Sequence, residues 1–215
     1  MLEHKGVDFE TTVLMPGMQA ALLRMAGFRG ATVPALKIDG RKLQGSLRIS
    51  RELERLYPEP PLFPGDPAVE EAERWGERVL QPIPRRVFRW IVGEDRALRR
   101  WVARFAGMPL APVVAEGLTP VVWALKRQSS ATAETVRDDL AALPAHVDHI
   151  DGLIAAGTLD GPELNAADYQ IGTSVRVLLE FAGVREGIEG RPAEAHARRV
   201  LRDYAQPPVQ VNAAL

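Results

Sequence analysis

Cysteine is absent from all 215 residues, which excludes disulfides, thiolate metal sites and a cysteine nucleophile within them. That absence agrees with a reducing, cytoplasmic compartment. No apolar run approaches the roughly 18 residues a membrane-spanning helix needs, and no basic n-region followed by an apolar h-region opens the chain. Neither a membrane partner nor a cleaved leader is therefore expected. Charge of one sign is not in excess either: the formal net charge is −1, and nothing global points to nucleic acid. Lysine is scarce. Lys5, Lys37, Lys42 and Lys126 stand against many arginines, a bias of GC-rich bacterial coding sequence. Internal repeats and low-complexity segments are missing. What remains is an ordinary globular balance, 46% hydrophobic and 26% charged, enough for a packed core in one or two domains.

Proline is concentrated where the chain divides. Pro58 to Pro67 reads Pro-Glu-Pro-Pro-Leu-Phe-Pro-Gly-Asp-Pro, and each proline removes a backbone donor and fixes φ, so neither a helix nor a central strand can form. The expected organisation is a first domain over 1–58, a linker over 59–66 and a second domain over 67–215.

Before the linker the pattern is mixed. Val7 to Leu14 has the alternation and β-branched content of a short strand. Met18 to Met25 reads as a short helix closed by Gly27 and Gly30. Val33 to Ile38 and Arg41 to Gln44 are two strands joined by an Asp39-Gly40 hairpin signal. A helix begins at Ser46, with Ile49, Leu53 and Leu56 on one face, and stops at Tyr57-Pro58. The opening Leu2 to Gly6 looks like the last turn of a longer helix with Gly6 as its stop.

After the linker the periodicity is helical throughout. Asp66 is a good N-cap with Pro67 in the first helical position, and Pro82 and Pro84 predict a kink in the stripe from Val69 to Val87. Further helices are expected over Arg96 to Phe105, Pro112 to Leu125, Val136 to Ile154 with its stop at Gly157, Asn165 to Phe181 and Pro192 to Tyr204. Asn165 and Asp168 have the spacing of a capping box, which is scaffold and not chemistry. His146 and His149 lie one turn apart beside Asp148 and Asp151. With no third convergent ligand they read as a solvated face, and no metal site is expected. Arg85, Arg86, Arg89, Arg96, Arg99, Arg100 and Arg104 form a basic cluster with Trp90 and Trp101 interleaved. It reads as a solvated face or dimer contact, with a basic pocket for acidic electrophiles as the alternative.

Three segments together resemble the glutathione S-transferase family: Gly30 to Gly40 with Val33-Pro34, Leu43 to Ile49 followed by Leu56-Tyr57-Pro58, and Leu164 to Tyr169. The resemblance implies an α/β plus all-α protein, a thioredoxin-like domain lacking its first strand and most of its first helix, followed by a helical bundle. It implies conjugation of glutathione or another low-molecular-weight thiol, as co-substrate and not cofactor, to an electrophilic small molecule in a homodimer. The thiol-binding residues carried over are Val33, Pro34, Gly45 and Ser46. In the family the Val-Pro peptide is cis, the residue at Val33 keeps its backbone groups free for a cysteinyl backbone, and the serine with the helix N-terminus holds the γ-glutamyl carboxylate. An acidic residue commonly precedes that serine. Here Gly45 does, preceded by Gln44, so the ligand's ammonium loses its partner and a different thiol, such as the one some actinobacteria use, stands as an alternative.

The family's Tyr, Ser or Cys that stabilises the bound thiolate would lie upstream of Met1. No residue of this chain is assigned the catalytic role; a truncated sequence is favoured over a short inactive variant, and the chain alone is expected to be inactive. The competing functions are a non-catalytic thiol-binding or interaction module of the same fold and a thiol-dependent reductase or isomerase.

Overall fold

The structure, a computed structural model, describes residues 1–12, 14, 19–105, 115–117 and 119–202. In chain order the elements are α1 (Gln19–Met25), β1 (Ala35–Ile38), β2 (Arg41–Gln44), α2 (Ser46–Leu56), α3 (Pro67–Trp75), a π-helical turn (Gly76–Leu80), α4 (Pro82–Glu94), α5 (Arg96–Phe105), α6 (Thr119–Gln128), α7 (Ala133–Ala155), α8 (Ala166–Leu178), α9 (Ala182–Arg185) and α10 (Pro192–Val200).

The strands pair antiparallel with Ala35 opposite Gln44 and Ile38 opposite Arg41, and the turn residues Asp39 and Gly40 both have positive φ (47° and 76°). That is the conformation the two-residue hairpin signal requires. Strand β1 begins two residues later than expected, because Val33-Pro34 sits outside the ladder.

The strand expected over Val7 to Leu14 is not formed: residues 7–12 and Leu14 are non-regular, and Val13 lies outside the described residues. Alternation alone cannot make a strand; it needs a neighbour's backbone, and among the described residues the sheet holds β1 and β2 only. Leu2 to Gly6 does close as a helical C-terminus would, with the Gly6 and Val7 N–H groups donating to the Glu3 and Leu2 carbonyls at 2.9 and 3.0 Å.

The N-terminal turn is fastened by a buried ion. Lys5 Nζ donates to Glu54 Oε2 and to the Pro60 carbonyl, both at 2.6 Å, while the same Oε2 also accepts the Leu62 N–H at 2.9 Å and Oε1 the Phe63 N–H at 3.3 Å. One lysine thus ties the opening turn, α2 and the proline linker together.

Beyond the linker, Asp66 accepts the Ala68 N–H at 2.9 Å and Pro67 opens α3. The kink predicted from Pro82 and Pro84 takes the form of the π-helical turn, whose wider ring is closed by the Gln81 N–H on the Gly76 carbonyl at 2.8 Å. The helix expected from Pro112 covers 115–117 and Thr119–Gln128; residues 112–114 and 118 lie outside the described ones, as do Met18, Asp203 and Tyr204. Helix α8 runs through the middle of the bundle, with Ile171, Val175 and Leu178 fully buried against residues such as Leu80, Ile83 and Ile150. Its Gly172 lets α10 approach: a Cβ there would stand 2.7 Å from the Val200 side chain. The Asn165–Asp168 capping box forms as expected. Ile49 and Leu53 of α2, with Leu62 and Ala166, make a second buried cluster under the hairpin.

Candidate functional site

Residues Pro34 and Ser46 come together because the hairpin is short. Four residues in each strand and two in the turn place Pro34 opposite Gly45, and the Gly45 N–H donates to the Pro34 carbonyl at 3.0 Å. Helix α2 starts immediately beyond. Both residues line one groove of ≈ 340 Å³, walled by Leu2, Phe9, Leu36 and Ile49.

Val33 directly precedes Pro34. The Val33–Pro34 peptide is cis, the Val33 side chain is 53% exposed, and among the described residues nothing hydrogen-bonds its N–H or C=O. A free backbone donor and acceptor at a sheet edge can receive another peptide-like group. The loop before it is strapped by Gln44, whose side-chain oxygen accepts the Gly30 N–H at 2.7 Å while its amide donates to the Thr32 carbonyl at 3.1 Å. Gln44 is thereby occupied by the loop.

Gly45 is the N-cap of α2, with φ 90° and ψ 139°, and Ser46 is the first helical residue. No side chain caps this terminus, and the Ser46 hydroxyl has no partner among the described residues. An uncapped helix start carries free N–H groups and the positive end of the dipole, to which a half-buried hydroxyl adds a further donor. Nothing crowds the Gly45 α-carbon. Its backbone alone selects glycine, since a side chain at that φ is strained.

Sequence reasoning did not find Glu3 or Phe9, which also line the groove. Glu3 is an exposed carboxylate from the opening turn. No local pattern marks it, because the turn carrying it is placed by Lys5, forty-nine residues from its partner Glu54.

The other groups singled out in the sequence serve structure. Trp75 packs edge-on against His146 and His149, with ring centroids 5.9 and 4.5 Å away. Asp148 and Asp151 hold Arg191, and Asp151 also accepts the Ala193 N–H at 2.9 Å, capping α10 from outside. The basic cluster divides: Arg86 is bidentate on Asp139 (2.5 Å each), Arg100 reaches Glu116 (3.4 Å), and Lys126 lies 3.9 Å over the Trp90 ring. None of the described helices is long and apolar enough to cross a membrane.

Residues 1–61 match the family described as glutathione S-transferase, N-terminal domain. In three dimensions the chain is similar to the crystal structure of a glutathione S-transferase from Rhodospirillum rubrum F11, at TM-score 0.58 and 20% identity, over 97% of this chain and 87% of that one. At that identity the likeness shows the fold: a thioredoxin-like N-terminal region with few strands, then a helical C-terminal domain. No curated protein matches the sequence.

Proposed function

We propose that the chain is a member of the glutathione S-transferase family, whose N-terminal domain its residues 1–61 match, and that it binds a low-molecular-weight thiol in the Pro34–Ser46 groove for conjugation to an electrophilic small molecule. The observation that carries this is a groove lined by both Pro34 and Ser46, with an unpaired backbone edge at Val33 next to the first and an uncapped helix start at the second. Val33 pairs with the cysteinyl backbone of the ligand. Ser46 and the first N–H groups of α2 take its carboxylate, where charge-assisted bonds are strong. Pro34 and Gly45 set the spacing between these two contacts through their mutual hydrogen bond. Glu3 offers the ligand's ammonium the carboxylate that position 45 does not.

In the reaction, the thiol gives its proton to solvent water, the thiolate's electron pair forms the new carbon–sulfur bond, and the electrophile's leaving group departs with its own pair. Among the described residues Ser46 is the one hydroxyl in the groove lining, and it is committed to the carboxylate. That same observation favours, as the second reading, a thiol-binding module without turnover. A homodimer in the cytoplasm follows from the family resemblance.

Calorimetric titration of the full chain with glutathione tests the binding step. Saturation in the millimolar range or below is expected, with Ser46→Ala weakening it about tenfold, the worth of one hydrogen bond to a charged group. Absence of any heat or thermal shift with glutathione and with cysteinyl-sugar thiols would overturn the thiol reading.

A further inference from the structure

We propose that Gln44 is a positioning residue for thiol binding: it holds the peptide plane whose far end is the Val33 N–H, so that this donor is presented to the ligand's cysteinyl backbone. The role rests on the thiol reading of the groove and deepens it, because Gln44 touches no ligand and acts through Val33.

The loop ahead of Pro34 has little of its own to hold it. Residues 29–33 are non-regular, and Ala31, Thr32 and Val33 are exposed. Among the described residues no backbone–backbone hydrogen bond reaches any of these five. The two bonds that do reach them come from one side chain: Gln44 Oε1 accepts the Gly30 N–H at 2.7 Å, and Gln44 Nε2 donates to the Thr32 carbonyl at 3.1 Å. Gln44 is itself anchored, since the ladder pairs it with Ala35. Lys42, two residues earlier on the same strand face, also meets the loop, for a Cβ on Gly27 would stand 2.1 Å from Lys42 Nζ. The loop thus lies across the hairpin face opposite to the one that Leu36, Ile38 and Leu43 turn toward α2.

The Thr32 carbonyl and the Val33 N–H belong to one peptide unit. That unit is trans and planar, so its C=O and N–H point in opposite directions. A bond from Gln44 to the carbonyl therefore fixes where the N–H points, which is away from Gln44 and toward no partner among the described residues. Beyond Val33 the chain is held again, by the Gly45 N–H on the Pro34 carbonyl at 3.0 Å. Residues 44 and 45 thus hold the chain on both sides of Val33, and Ser46 follows at the start of α2. Three consecutive residues set the distance between the two ends of the site. The strap needs an acceptor and a donor on one short side chain, which an amide has and an ionised carboxylate lacks. Gly30 completes it: a Cβ there would stand 2.7 Å from Gln44 Oε1, so a larger residue displaces the amide.

Calorimetric titration with glutathione of the unaltered chain, Gln44→Ala, Gly30→Ala and the double variant tests the role. Gln44→Ala is expected to weaken binding about tenfold, because the ligand must then order the loop itself. Gly30→Ala should weaken it similarly, yet change affinity less than about twofold when added to Gln44→Ala, where the amide it displaces is already gone. Amide NMR supplies the readout that a general loss of structure would not give: with glutathione added to Gln44→Ala, the Val33 response should shrink while the Ser46 and Leu47 amides respond as in the unaltered chain. Binding by folded Gln44→Ala within about twofold of the unaltered chain would overturn the positioning role alone. Loss of the Val33 and Ser46 responses together would overturn it too, as the mark of a hairpin come apart. Failure of the unaltered chain to saturate by about 10 mM glutathione would sink the thiol reading and the role that rests on it.

Discussion

Replacing Asp168 by alanine tests whether the capping box supports the helical domain. The carboxylate is fully buried at the start of α8. Its Oδ2 accepts the Asn165 N–H and its Oδ1 the Asp160 N–H, both at 2.7 Å. Burial still holds it above the ordinary carboxylate range, against the pull of those two donors. Alanine leaves both N–H groups without their acceptor, the Asn165 one buried and the Asp160 one part-buried. At about 1–3 kcal/mol for each orphaned group, the loss is about 4 kcal/mol. For a chain of this size that lowers Tm by about 8–16 °C. Asp168→Asn keeps one acceptor oxygen and is expected to lose about half as much. Asn165→Ala removes the acceptor of the Ala167 and Asp168 N–H groups and the donor to the Thr158 carbonyl, and is expected to cost about 2 kcal/mol. Urea unfolding followed by circular dichroism measures all three, read as a shift in midpoint at constant slope. If Asp168→Ala unfolds within about 1 kcal/mol of the unaltered chain, the bonds are not what holds this corner and the reasoning fails.

Two further outcomes are expected. Lys5→Met strands Glu54 and the Pro58 and Pro60 carbonyls and should cost about 3 kcal/mol, with Glu54→Gln added to it recovering about 1 kcal/mol; a cost below about 0.5 kcal/mol by urea unfolding would contradict the fastening role. Glu73 accepts from Ser50 and Arg51, yet burial raises its pKa above the ordinary value of about 4.3, so the folded state binds the proton more tightly and Glu73's contribution is complete below that value and lost as pH climbs through the folded one. Glu73→Gln should therefore flatten the decline in urea midpoint on the acid side of neutrality; an unchanged profile would exclude Glu73 as its source.

Much of the scaffold was legible because its signals are local. Asp66-Pro67, Asn165 with Asp168, and Asp39-Gly40 each specify a backbone conformation within a few residues, and each forms as read. Val7 to Leu14 failed for the opposite reason: a strand is a pairing, and the partner's presence is not written in the segment itself. The arginine cluster shows the same limit. Helical spacing groups Arg86 with Arg89, but it cannot reveal that Asp139, fifty-three residues away, arrives at one and no described carboxylate at the other. A face that reads uniformly as solvated thus holds arginines paired to distant carboxylates, such as Arg86, beside Arg89 and Arg99, which donate to backbone carbonyls.

At the groove the same division decides what kind of ligand fits. Pro34 and Ser46 lie side by side because a hairpin of two four-residue strands and a two-residue turn leaves little freedom in where its ends fall. Gly45 could be noticed only as a departure, a missing acidic residue. Its φ of 90° gives the departure a physical basis, because any side chain there costs about 1–2 kcal/mol in the left-handed region while glycine does not. The chain thus has a relaxed junction between β2 and α2 in place of a carboxylate on the helix side of the groove. Carboxylate chemistry enters instead from the opening turn, through Glu3, whose position depends on Lys5 and the linker it fastens. In the proposed thiol site, ammonium recognition by Glu3 thus rests on the anchoring of the first residues. Loosening the Lys5–Glu54 bond would move Glu3 along with the fold's opening turn, and the polarity of the groove with it.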